Sequence, residues 1–183
     1  METVIRTGAA RNLGYLFDRK ERIMSKFLVI AEKPSVAQSY AKNLSAYKRE
    51  DGYLEGESCI VSWCLGHLAE YAQPEEYDPK YEKWQFDDLP ILPETWKLKV
   101  SKDKKKQFEV IKTLMNRSDV EYLVNGCDAG REGELIFQRV YDLAGCRKPV
   151  KRLWISSMED AAIQKGFQTM KSEEEYKNLC MAA

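Results

Sequence analysis

The chain has 183 residues, enough for one domain with a proper core. Lys plus Arg and Asp plus Glu are balanced at 29 each, so no global charge draws the chain to polyanions and any nucleic-acid affinity must come from local clusters. Cys59, Cys64, Cys127, Cys146 and Cys180 form no C-x-x-C pair and no zinc-spaced set with the single histidine. No apolar run approaches a membrane span, so a reduced, cytoplasmic protein without a membrane partner is expected.

Residues 1–23 place Arg6, Arg11, Arg19, Lys20, Glu21 and Arg22 around a short apolar patch, Leu13-Gly14-Tyr15-Leu16-Phe17, and read as a leader or disordered extension. Phe27-Leu28-Val29-Ile30-Ala31 is an apolar strand that runs straight into Glu32-Lys33-Pro34-Ser35. Val36, Ala37, Tyr40, Ala41 and Leu44 follow at helical spacing, behind a proline suited to a first turn. A turn at 51–56 leads to a second buried strand at 58–65, which ends at Gly66-His67-Leu68. Between 70 and 98, Pro74, Pro79, Pro90 and Pro93 alternate with Trp84, Phe86 and Trp96. This predicts an ordered excursion whose aromatics pack it onto the domain rather than stack on bases.

A helix is expected over 102–117, with Phe108, Ile111, Leu114 and Met115 on one face and Lys104, Lys105 and Lys106 forming a solvated start. A strand at 122–127, a helix opening near Glu132 and stopping at Gly145, and a fourth strand at 150–155 complete the pattern. The order β-α-β-α-β-α-β predicts an α/β domain over 24–157 with a mostly parallel four-stranded sheet flanked by helices. Residues 158–183 are helical in pattern and read as the start of a following domain, cut in mid-element.

Cys127-Asp128-Ala129-Gly130-Arg131-Glu132-Gly133-Glu134-Leu135-Ile136 gathers acids, a cation and glycines into a strand-to-helix turn, where α/β proteins place their chemistry. Asp128 and Glu132 can point into one crevice and hold a hard cation through oxygen. Mg²⁺ suits such a site because it keeps several waters and needs only one or two carboxylates beside a phosphate. Acids in a first helical turn also stabilise the helix dipole by about 0.3–1 kcal/mol each, which is the plain reading of Glu132 and Glu134. That reading accounts neither for Asp128 before the turn nor for Glu32 and Lys33 at a separate strand end.

Ile30-Ala31-Glu32-Lys33-Pro34-Ser35 together with Asp128-Ala129-Gly130-Arg131-Glu132-Gly133-Glu134 resembles the Toprim domain of bacterial type IA DNA topoisomerases, the topoisomerase III branch in particular. The likeness begins at Met24 and continues through Trp63-Cys64-Leu65-Gly66-His67-Leu68 and Arg152-Leu153-Trp154-Ile155-Ser156-Ser157-Met158. It implies a Toprim-type, Rossmann-like fold and an ATP-independent enzyme. Such an enzyme cuts one DNA strand with a tyrosine, passes another strand through the gap and reseals it. Under the resemblance Glu32 is the general acid/base, Lys33 contacts the scissile phosphate, and Glu32, Asp128 and Glu132 hold Mg²⁺ with Glu134 as a possible supplement. Arg131 orients a carboxylate or binds phosphate. His67 reads either as structural or as a contact to the DNA backbone.

The family pattern carries an acid where this chain has Gly130, so one ligand is missing. No tyrosine here, Tyr141 and Tyr176 included, sits in a motif matching the family's nucleophile. The expected partners are therefore DNA, as single-stranded segments, and the remaining topoisomerase domains of a longer chain. The chain alone is expected to be inactive in strand passage. A non-catalytic Toprim module for DNA or a protein partner and a Toprim nuclease are the alternatives. The zinc module of a primase is not among these residues.

Overall fold

A computed structural model describes residues 25–182; the leader read at 1–23 lies outside the described residues. The chain order is β1 (Lys26–Ala31), α1 (Pro34–Asn43), β2 (Lys48–Glu50), β3 (Tyr53–Glu55), β4 (Cys59–Trp63), β5 (Ala69–Tyr71) and β6 (Leu98–Val100). It continues with α2 (Lys105–Met115), β7 (Val120–Gly126), α3 (Arg131–Ala144), β8 (Val150–Arg152), α4 (Asp160–Gln168), β9 (Lys171–Ser172) and α5 (Lys177–Met181).

The four expected strands are β1, β4, β7 and β8, and they lie side by side and parallel in the order β4-β1-β7-β8, although β8 ends at Arg152 rather than at 155. The sheet nevertheless has seven strands, because β3 and β2 extend it antiparallel beyond β4 and β9 extends it antiparallel beyond β8. The stretch at 51–56 read as a turn is thus the tip and second arm of a β2–β3 hairpin, turning on Asp51 and on Gly52 with its φ of 85°.

Alternation along the parallel strands supplies both faces with apolar side chains. Leu28, Ile30, Ile60 and Leu123 meet Phe108, Ile111, Leu114 and Met115 of α2 and Ile136, Phe137 and Val140 of α3. On the other face Val29, Ala31, Val61 and Val124 meet Val36, Ala37, Tyr40 and Ala41 of α1 and Ile163 of α4. Gly145 ends α3 in the left-handed conformation, with φ 63°, as its position predicted. Residues 158–183 are not one continuous helix, since β9 interrupts the helical pattern; α4 buries Ile163 on the sheet and β9 bonds to β8.

The excursion departs from expectation. Its stem is the antiparallel β5–β6 pair, and Trp96 packs locally between Tyr71 and Tyr77. Trp84 and Phe86 are 70% and 88% exposed, so these aromatics do not pack the segment onto the domain. Short 3₁₀ turns at Pro74–Glu76, Pro79–Glu82 and Phe86–Asp88 order it instead; prolines start the first two, where Glu76 accepts the Gln73 N–H and Asp78 the Lys80 N–H.

At the sheet end opposite the strand carboxyl termini, Glu55 accepts from Lys26 at 2.7 Å and from Arg117 at 2.9 Å, and Arg117 also pairs with Asp119 at 2.7 Å. Burial works to raise the Glu55 carboxyl, but hydrogen bonds from Lys26 and Arg117 outweigh it and hold it below the ordinary value. The Arg117 hydrogen bond likewise holds Asp119 low. Both folded-state pKa values are depressed, so their stabilisation is complete above the unfolded carboxylate range of about 4 and is lost as pH falls through the lowered values. Glu55→Gln is therefore expected to flatten the acid limb of a melting-temperature profile below about pH 4 while leaving the profile above pH 6 parallel to the parent's.

Candidate functional site

β1 and β7 are adjacent and parallel, so the residues just past their carboxyl ends emerge side by side. Glu32 follows β1 and Asp128 lies two residues beyond β7. The Glu32 carboxylate accepts the Asp128 backbone N–H at 3.2 Å, joining positions 96 residues apart in sequence. The loop after β4 closes a third side: Cys64 N–H donates to Ala31 O at 2.7 Å and Gly66 N–H to Glu32 O at 3.3 Å. That loop carries His67, whose Nε2 lies 3.3 Å from Glu132 Oε1 in the first turn of α3. Lys104 fixes the loop further by donating to His67 O at 3.0 Å.

Glu32 is half-buried, whereas Lys33, Asp128, Arg131 and Glu132 are exposed. The structure therefore joins Glu32 with Asp128 and His67 with Glu132 around one strand-end crevice. Lys33 caps α1 with extended backbone and Arg131 opens α3. Glu134 is placed elsewhere. It is 1% exposed, with Arg152 Nε on one carboxylate oxygen and Asn125 Nδ2 at 3.0 Å from the other. Helical spacing explains this, because two residues after Glu132 the side chain faces the opposite side of α3, which is the core side.

Carboxylates at the crevice fit a hard divalent cation by donor chemistry. Among the described residues, no group of three or more His, Cys, Asp or Glu side chains is gathered closely enough to enclose a metal. One or two carboxylates with waters and a phosphate remain sufficient for Mg²⁺. Gly130 has extended backbone (φ 174°), and a Cβ there would meet nothing within 4 Å. The position thus has room for the acid of the family pattern.

The turn is held from below by groups that periodicity did not single out. Arg152, 1% exposed at the end of β8, donates to Cys127 O at 2.7 Å, Asp128 O at 2.7 Å, Leu153 O at 2.9 Å and Asn125 O at 3.1 Å, besides its pairing with Glu134. Asn125 Oδ1 accepts Cys127 N–H at 3.2 Å. The available signal was strand alternation, since Arg152 falls on the same face as buried Val150 while Lys151 between them is exposed, and a guanidinium on a buried face must be paired. Tyr40 adds a bond from its hydroxyl to Gly126 O at 3.0 Å, and burial pushes its phenol above the ordinary range. The Cys127 thiol is also pushed up, by its hydrogen bond with Cys64 and by burial, the reverse of what a nucleophilic cysteine requires.

Among the described residues no helix is long and apolar enough to cross a membrane. Residues 27–158 match the Toprim domain family. The DNA topoisomerase 3 of Bacillus subtilis (strain 168) is 49% identical over 160 residues, covering 87% of this chain and 22% of that protein. The DNA topoisomerase 3 of Bacillus cereus (strain ATCC 14579) is 51% identical over the same shares. The full-length topoisomerase I of Thermotoga maritima shares the fold, with a TM-score of 0.53 and 19% identity over 82% of this chain and 22% of that one. The chain thus spans about a fifth of the length of the relatives it matches.

Proposed function

Because the chain belongs to the Toprim family, we propose that it supplies the metal-binding and acid/base part of a type IA DNA topoisomerase of the topoisomerase III kind. The observation that carries the reading is the meeting of Glu32 and Asp128 across the carboxyl ends of β1 and β7. In this role Glu32 donates a proton to the 3′ oxygen leaving the scissile phosphate and takes it back when that hydroxyl attacks during rejoining. Lys33 neutralises charge on the phosphate as a point cation, and Arg131 binds or orients a neighbouring phosphate with its planar fork. His67, placed against Glu132, orients that carboxylate and faces the DNA backbone.

Glu32, Asp128 and Glu132 would hold Mg²⁺, whose contribution when bound is to neutralise negative charge beside the DNA phosphate. Glu134 serves the core. The substrate is a single-stranded DNA segment, and the tyrosine nucleophile and gate belong to the remainder of a longer protein. On this reading the 183 residues alone do not relax supercoiled DNA.

The test is a Mg²⁺ titration of the chain with a short single-stranded oligonucleotide present. Asp128→Asn is expected to weaken Mg²⁺ at least as much as the roughly 10–100-fold that losing a supporting group costs. Gly130→Asp is expected to tighten it, because the added carboxylate enters open space on relaxed backbone. Binding of Mg²⁺ by Asp128→Asn with parental affinity would remove the metal assignment. Metal-independent binding of the oligonucleotide would instead favour a non-catalytic module.

A further inference from the structure

We propose that Arg152 is the positioning residue of this site, holding the backbone of the Asp128 turn in register with Glu32, whose carboxylate accepts the Asp128 N–H. The inference rests on the metal-site reading above and extends it to a residue that touches neither substrate nor metal.

Three observations carry it. First, a guanidinium has five N–H donors in a fixed planar fork, and Arg152 directs both terminal nitrogens at the segment 125–128. Its Nη1 reaches Asn125 O, Cys127 O and Leu153 O, and its Nη2 reaches Asp128 O at 2.7 Å. Three of these carbonyls, of Asn125, Cys127 and Asp128, run along the end of β7 and into the turn, and the fourth belongs to Leu153 just past β8, so a rigid plane sets the turn against the neighbouring strand.

Second, the fork itself cannot drift. Glu134 from α3 pairs with Nε, Asn125 ties the other Glu134 oxygen, and the Asn125 Oδ1 returns to Cys127 N–H. The Trp154 ring lies 5.0 Å from the guanidinium. Strand β7, helix α3 and strand β8 are thereby joined through a single side chain that is 1% exposed.

Third, the Asp128 carbonyl is fixed from its other side as well. Gly133 of α3 stands so close that a Cβ there would lie 2.1 Å from Asp128 O. The carbonyl sits between helix backbone and guanidinium, and the same peptide segment presents the Asp128 N–H that Glu32 accepts. A lysine at 152 keeps the charge near Glu134 but has one nitrogen on a flexible stem. It cannot span four carbonyls in one plane, so the turn would lose its register while the fold kept its ion pair.

The experiment compares Arg152→Lys with Val140→Ala, a core truncation in α3 away from the turn, and with Asp128→Asn. Two readouts are taken on the whole chain: Mg²⁺ affinity by titration with the oligonucleotide present, and amide hydrogen exchange at residues 127–129 relative to the β1 core. Arg152→Lys is expected to weaken Mg²⁺ by about 10–100-fold, as loss of supporting hydrogen bonds does at metal sites, and to speed exchange at 127–129 by tenfold or more while β1 stays protected. Val140→Ala reports the effect of destabilisation alone. If Arg152→Lys matches Val140→Ala in both readouts while Asp128→Asn loses metal, the positioning role is overturned and the metal site stands. If Asp128→Asn keeps parental affinity, the metal reading falls and this inference falls with it.

Discussion

Gly133→Ala is expected to lower the melting temperature by roughly 6–12 °C, taking an overpacking cost near 3 kcal/mol in a chain of this size. A methyl group at 133 would lie 2.1 Å from Asp128 O and 2.9 Å from Asp128 N, and both are backbone atoms that cannot rotate aside. The change adds about 1 kcal/mol of helix propensity in α3, well below the packing cost. Relief requires either α3 to move off the sheet, exposing Ile136, Phe137 and Val140, or the Asp128 turn to move away from Glu32. A thermal melt followed by circular dichroism checks the first consequence, and the Mg²⁺ titration checks the second. A melting temperature within about 2 °C of the parent, with Mg²⁺ affinity unchanged, would mean that the turn is not seated on α3 as described.

The second large effect is expected at Glu134→Leu, which leaves the buried guanidinium of Arg152 without its carboxylate. Breaking one partner of a buried pair costs about 3–5 kcal/mol, because the remaining charge is uncompensated. Arg152→Met alone strands the Glu134 carboxylate and also removes the donors from Cys127 O and Asp128 O. The double variant Glu134→Leu with Arg152→Met removes both charges together. It is expected to cost about 2 kcal/mol or more less than the sum of the single changes, as groups in one network couple strongly. Urea unfolding of the four proteins measures this coupling. Simple additivity would show that Glu134 and Arg152 act independently, contrary to their shared hydrogen bonds.

The sequence made three of the parallel strands, β1, β4 and β7, legible because each is a largely apolar run bounded by turn chemistry, and acids follow the ends of β1 and β7. Glu32 and Asp128 are legible as neighbours for that reason, and the Glu32 carboxylate does accept the Asp128 N–H. Strand β8 is Val150-Lys151-Arg152 and was legible from its place in the alternating order. The short edge strands escaped notice because Lys48-Arg49-Glu50 and Lys171-Ser172 are polar and exposed or half-buried, with no alternation to read. Glu134 was grouped with Glu132 by proximity in sequence, but the helix turns the two in different directions. Arg152 carried a signal in the family motif and in its alternation onto the face of buried Val150, but nothing local states which carbonyls it will meet. The excursion was misread because aromatics among prolines predict burial in general. Here Trp96 packs against Tyr71 and Tyr77 within the excursion, while Trp84 and Phe86 stay largely open to solvent.

The position of β1 in the sheet has a temporal meaning. Among the described residues it is the earliest strand of the sheet to be synthesised, and it lies between β4 and β7, the second of which is made much later. Asp128 leaves the ribosome 96 residues after Glu32, an interval of roughly 5–20 s at ordinary elongation rates. Until then β1 can pair with β4 alone, and its other edge, flanked by Leu28, Val29 and Ile30, stays open to any strand that meets it. The site is therefore assembled by the closing of the sheet's centre, as the last long-range pairing of β1 rather than the first.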